Sequence, residues 1–335
     1  MIAATLYRGD VIENAHAAHV AVVDADGRLV HSLGDPYRVT LPRSAAKPAQ
    51  ALAVIETGAL ERFGFTDEDL ALMCGSHSSE PRHIERARAM LAKAHASEDD
   101  LRCGGHPPIS DAVYRDWIKR DFTPTAVCSN CSGKHAGMLA GARAMNAPLD
   151  GYHLPEHPLQ THVKRTLARA LDLPDDAVQW AIDGCNLPTP AFALERLARL
   201  YMTIAAAPEG SPLARIHRAM TTHPELVAGE GRFCTLLMQA FGGALVGKTG
   251  ADASYAIGVR PGQAAQRTLG IAVKVEDGNT SVLNAVVVHV LDLLGIGTQQ
   301  QRDALAAYRN PATRNTMGVP TGRLDVNFTL HHHQQ

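Results

Sequence analysis

Two residues set the first chemical hypothesis: Ser44 and Lys47, three positions apart in Arg43-Ser44-Ala45-Ala46-Lys47-Pro48. On a helix, positions i and i+3 share a face, so the amine can reach the hydroxyl. A serine hydroxyl is a weak nucleophile, and a lysine beside it acts as its base where desolvation or nearby cations lower the amine pKa. By itself the spacing is common and fits a solvated helix start equally well. Pro48 is compatible only with the first helical turn, which puts Ser44 at the very beginning of a helix. Helix N–H groups there favour developing negative charge.

The cysteines form the second signal. Six occur, at 74, 103, 128, 131, 185 and 234. Without export, metal or catalytic roles gain weight over disulfides. Cys128-Ser129-Asn130-Cys131 is a single CxxC, so a four-cysteine zinc site has no partner pair. Cys74, Cys103 and Cys234 read as small buried apolar side chains. Around Cys131 the text is rich in functional types: Cys131-Ser132-Gly133-Lys134-His135-Ala136-Gly137. Asp183-Gly184-Cys185-Asn186 sets a cysteine in a turn beside an acid. Lys248-Thr249-Gly250 matches the third element of the serine β-lactamase and penicillin-binding pattern, in the correct order after Ser-x-x-Lys.

These residues need elements to hold them. Alternation and turn residues predict strands over 19–23 and 28–33, joined by Asp24-Ala25-Asp26-Gly27, and again over 255–259 and 269–275. Periodicity and proline positions predict helices over 47–57, 80–94, 159–171, 191–206 and 281–294. Strands at both ends and helices between them imply an α/β (α+β) fold, with an antiparallel sheet completed by the two termini. The expected division is a sheet lobe over about 1–58 and 226–335, with a helical lobe inserted over about 59–225. The chain has 335 residues, 45% hydrophobic and 20% charged, with a net charge of −2. Such a balance gives no electrostatic case for nucleic acid or an anionic membrane. No apolar run reaches the ~20 residues that span a bilayer. Met1 to Asp10 lacks a signal-peptide pattern, so a cytoplasmic location is expected.

Taken together, the blocks resemble the rhizobial-type L-asparaginase family, also called asparaginase II-like. The matching text is Arg43–Pro48, Cys74-Gly75-Ser76-His77, Cys131–Gly137, Asp183-Gly184-Cys185, His223-Pro224-Glu225-Leu226-Val227-Ala228-Gly229 and Lys248-Thr249-Gly250. The resemblance implies a serine β-lactamase-like fold, L-asparagine as substrate and two serine–lysine tandems. The first tandem maps to Ser44 and Lys47, the second to Ser76 and a late lysine, assigned as Lys248 with Lys274 as the rival. It also implies a zinc ion held by Cys131, Lys134 and Cys185. His135 is the ligand that chemistry alone prefers over Lys134, since imidazole is the commoner choice. Arg43, Asp183 and His135 are assigned to substrate binding, with Asp183 on the α-amino group. A homodimer is the expected assembly. Either serine can be the nucleophile on this reading. Two other classes share part of the pattern: a penicillin-interacting serine hydrolase, and a zinc-stapled module without activity.

Overall fold

The computed structural model describes residues 1–333. The chain divides into two compact units. One comprises Met1–Ala45, Phe192–Ala206 and the chain from Leu236 on; the other comprises Ala46–Ala191 and Ala207–Thr235.

The first unit is built on an antiparallel sheet. Along it run Ala312–Arg314, Pro320–Val326, Ile2–Arg8, Val11–Val23, Leu269–Val275, Ser254–Val259 and Leu245–Gly250. Leu29–Leu33 also pairs with Val11–Val23, and His331–His332 pairs with Leu29–Leu33. The two termini meet where Ala4 faces Val326, so the sheet is completed by both ends of the chain, as expected. Every residue of Ser254–Val259 and Leu269–Val275 is buried. That explains their largely apolar text, broken only by Ser254 and Lys274: both faces of these central strands are covered, so no polar face alternates. The helices Leu194–Ala206 and Thr280–Leu293 lie against these strands.

The second unit is helical. Lys47–Glu56, Pro81–Lys93, Pro158–Ala170 and Pro212–Thr222 each carry proline in the first turn. There the missing N–H has no intrahelical partner to lose. Asp67–Met73 is opened by a reciprocal Thr66–Asp69 capping box. Asp69 is buried and bonded to Arg86 at 2.9 Å and Lys93 at 2.6 Å, which satisfies its charge. Ser132–Ala144 is buried along nearly its whole length. It runs against Asp67–Met73 so closely that a Cβ on Gly133 would meet Leu72, and one on Gly137 would meet Met73. Those two glycines therefore set the spacing of the helices that carry the site.

The division differs from the expected lobes: residues 46–58 and 226–235 fall in the helical unit, and Phe192–Ala206 falls in the sheet unit. One helix start differs as well. The helix expected from 191 begins at Leu194, and Pro188–Ala193 is a strand paired with Gln179–Ile182. An apolar run of this kind has no period that separates strand from helix. Among the described residues no helix is long and apolar enough to cross a membrane.

Candidate active site

Within the helical unit, Ser76 lies in a loop, Cys74 to Ser79, that leaves the end of Asp67–Met73. Three other segments strap this loop. Ser76 N donates to Val227 O at 2.8 Å and Ser78 Oγ to Ala228 O at 2.8 Å. His77 N donates to Asn130 O at 3.2 Å, and Ser79 Oγ to Cys128 O at 2.7 Å. The His223–Gly229 block is thus a set of backbone acceptors for the serine loop. Because the Ser76 N–H is taken by Val227, it does not serve as an oxyanion donor.

Lys47, only 1% exposed, reaches into this loop. Its Nζ is 3.1 Å from Ser76 Oγ and also bonds to Gly75 O. The contact crosses the tandem expected from the sequence, in which Lys47 serves Ser44. A buried amine on a serine hydroxyl is the arrangement a lysine-activated nucleophile needs.

Two histidines stack beneath the loop, His77 on His83, with centroids 5.0 Å apart. His77 Nδ1 accepts from Ser79 N, so Nε2–H donates to Ser132 Oγ at 2.9 Å. His83 Nδ1 accepts from Glu80 N and Nε2–H donates to Glu225 O at 2.8 Å. Burial, then the proximity of His83 and Lys47, holds His77 well below the usual histidine range. Both rings are neutral struts that tie the serine loop to its neighbours. Sequence reading passed over His83 and did not separate His77 from the Ser76 motif.

The thiols converge in the same unit. Lys134, in the first turn of Ser132–Ala144, donates to Cys185 Sγ at 3.2 Å. Cys131 hydrogen-bonds to Cys185, and its Sγ is 3.1 Å from Asn130 Oδ1. The Cys131 bond and the Lys134 charge outweigh burial and bring the Cys185 thiol down to about 5. Cys131 is pushed up to about 12 by the same bond and by burial. Burial opposes the charge on Lys134, and the two sulfurs override it and raise the amine. Two sulfurs and one amine thus lie together, all buried. Among the described residues no three His, Cys, Asp or Glu side chains form a metal-binding group. Cys103 is near enough to feel both thiols and is itself pushed up to about 12, chiefly by burial.

His135 sits one position on and faces elsewhere. Its Nδ1 is 2.5 Å from Tyr152 Oη, and burial first, then Lys134, lowers its pKa to about 3. Nε2 is buried beside the Cys185 backbone with no hydrogen bond of normal geometry. A ring enclosed in this way braces the cysteine turn. Asp183 caps that turn through Gly184 N at 2.8 Å, and its carboxylate is 3.9 Å from Cys185 Sγ.

Within the sheet unit, Ser44 lies in a short 3-10 turn, Arg43–Ala46, and is half-buried. Arg43 has φ +51°, an uncommon conformation for a residue with a Cβ, and its guanidinium is ion-paired with Asp252. Lys248 and Gly250 are two apart on one strand and share a face. A Cβ on Gly250 would strike Pro42 O and lie 3.3 Å from Ala45 N, so this strand is seated directly against the turn that carries Ser44. Register places Lys274 opposite Ser254 and Lys248 opposite Ala256, which sets both lysines on that face. Lys248 Nζ donates to Thr249 O at 2.7 Å, and Lys274 Nζ bonds to Asp252 O.

A family model described as L-asparaginase II matches residues 4–326, nearly the whole chain. The chain belongs to that family. No curated protein sequence matches it. Among solved structures, the Bacillus subtilis glutaminase in covalent complex with 5-oxo-L-norleucine matches over 82% of this chain and 87% of its own. The identity is 13% and the TM-score 0.38, and no residue assignment rests on so loose an overlay. The family match makes the protein an amidohydrolase of the asparaginase kind.

Proposed function

We propose that this L-asparaginase II family member hydrolyses the side-chain amide of L-asparagine, releasing L-aspartate and ammonia. The observation that carries the reading is the buried contact between Lys47 Nζ and Ser76 Oγ. In the proposed reaction Ser76 Oγ attacks the amide carbon as its proton passes to Lys47. The tetrahedral adduct collapses when Lys47 returns that proton to the nitrogen, and ammonia leaves. Water then attacks the β-acyl ester, gives a proton to Lys47, and frees aspartate as Ser76 recovers its hydrogen. Ser44 and Lys248 are retained as a second serine–lysine pair. Asp183 is assigned to the substrate α-amino group.

Cys131, Cys185 and Lys134 are the residues that would hold zinc, with Lys134 as a neutral amine. When bound, the ion supplies fixed positive charge for orienting a polar group. This chain's own part is to keep the three donors together: Gly133 and Gly137 seat the helix, and His135 braces the Cys185 turn.

Ammonia release from asparagine and glutamine, side by side, tests the reading. Ser76→Ala is expected to lose at least ~10^4-fold in kcat with the fold kept. Ser44→Ala reads the contribution of the second pair. Appreciable turnover by Ser76→Ala, or silence of the wild type on both amides, contradicts the proposal.

A further inference from the structure

Half-buried arginines in this chain commonly end on a carboxylate: Arg86 on Asp69, Arg215 on Asp67, Arg43 on Asp252. Arg232 does not. Its Nη1 donates to Ser76 O at 2.7 Å and to Ala228 O at 3.4 Å. Among the described residues no Asp or Glu carboxylate pairs with it, and its Nε and Nη2 have no hydrogen bond to the protein. A guanidinium carries five N–H donors in a planar fork, so pinning one nitrogen leaves an edge able to take a carboxylate through two parallel bonds.

Its place next to the serine gives that edge a meaning. The carbonyl it holds and the hydroxyl held by Lys47 belong to one residue, Ser76. In an amino-acid amide such as asparagine, the α-carboxylate carbon is three bonds from the side-chain amide carbon. With the amide carbon at Ser76 Oγ, the carboxylate falls within the reach of a cation one residue-width away. Lys47 also touches Ser76, through its hydroxyl. The stacked rings of His77 and His83 are neutral, so they neither compete with Arg232 for an anion nor add one of their own. Arg43, the arginine that sequence reading assigned to the carboxylate, is already neutralised by Asp252.

We propose that Arg232 is the α-carboxylate anchor of the substrate site, which selects amides of free α-amino acids over simple amides. This inference rests on the reading of Ser76 as the nucleophile of an asparagine amidohydrolase. It gives Arg232 two tasks: one nitrogen fixes the serine loop through the Ser76 carbonyl, and the open edge fixes the substrate.

The test pairs L-asparagine with 3-aminopropanamide, the same amide without its carboxylate, in the wild type, Arg232→Met and Arg232→Lys. The wild type is expected to favour asparagine in kcat/KM by on the order of 100-fold, the worth of a charge-assisted pair. Arg232→Met is expected to bring that ratio close to one, and Arg232→Lys to restore part of it. A ratio in Arg232→Met that stays at the wild-type level overturns the proposal, since a purely structural arginine lowers both substrates alike. A wild type that turns over both amides equally well overturns it without any variant. Silence of the wild type on asparagine and glutamine removes the amidohydrolase reading itself, and the anchor falls with it. An active wild type with an unchanged ratio removes the anchor alone.

Discussion

Each unit buries two lysines, and Lys47 and Lys274 end differently. In the helical unit, Lys47 ends on Ser76 Oγ and Lys134 on Cys185 Sγ. In the sheet unit, Lys248 donates to Thr249 O and Lys274 to Asp252 O. A side-chain hydroxyl or thiol can hand its proton to an amine, whereas a backbone carbonyl only accepts a bond. In the helical unit Lys47 and Lys134 thus meet groups able to exchange a proton, whereas Lys274 in the sheet unit meets a backbone carbonyl. The lesson is that burial of a lysine says little until its partner atom is known.

Exchanging lysines for apolar residues of similar length tests the contrast most severely. Lys47→Met is expected to lower kcat by roughly 10^3-fold, the scale of a lost general base. Lys274→Met, whose amine serves a carbonyl, is expected to cost no more than a few-fold in the same ammonia assay. Equal losses in the two variants would erase the distinction drawn here.

The thiol pair gives the next effect. Cys185→Ser is expected to abolish zinc retained after purification and gel filtration, read as metal per chain by elemental analysis. Cys103→Ser, whose thiol donates to Ala126 O, is expected to keep the metal. Retention of zinc in Cys185→Ser contradicts the donor assignment.

The smallest effect is on stability. His135 has an ordinary pKa near 6.5 and a folded value of about 3, lowered first by burial. Between those values the unfolded chain binds a proton that the folded chain does not, so stability rises with pH across the window. It is correspondingly lost as pH falls, by about 2 kcal/mol at pH 5 from this one group. His77 and His83, also lowered chiefly by burial, act in the same direction. Both tryptophans, Trp117 and Trp180, lie in the helical unit, so denaturant titration followed by their fluorescence reads that unit. A midpoint that does not fall between pH 7.5 and pH 5 contradicts the account.

Local text made much of this legible. Pro48 and the Ser44–Lys47 spacing located a helix start, and the apolar run at 269–275 located a central strand. Other parts depended on contacts between distant segments. The edge strands Ile2–Arg8 and Pro320–Val326 are partly exposed and show no clean alternation. Their pairing is a product of chain closure rather than of local pattern. The helix Ser132–Ala144 was hidden by Gly133 and Gly137, which read locally as breakers and serve close packing instead. Lys47 sits three residues from Ser44 in sequence, yet its contact with Ser76 spans 29 positions and depends on the strapped loop. Arg232 was missed because it lies three residues beyond the His223–Gly229 motif. The available signal was an arginine flanked by Gly231 and an apolar helix start at Phe233.

The central claim is that Ser76 is the nucleophile activated by Lys47. A diazoketone analogue of asparagine, which alkylates a nucleophile within its own site, tests it by peptide mapping of the labelled protein. The account predicts a single adduct on Ser76 that is protected by L-aspartate and absent in Lys47→Met. An adduct on Ser44 with Ser76 unmodified, or labelling of Ser76 undiminished in Lys47→Met, would contradict it.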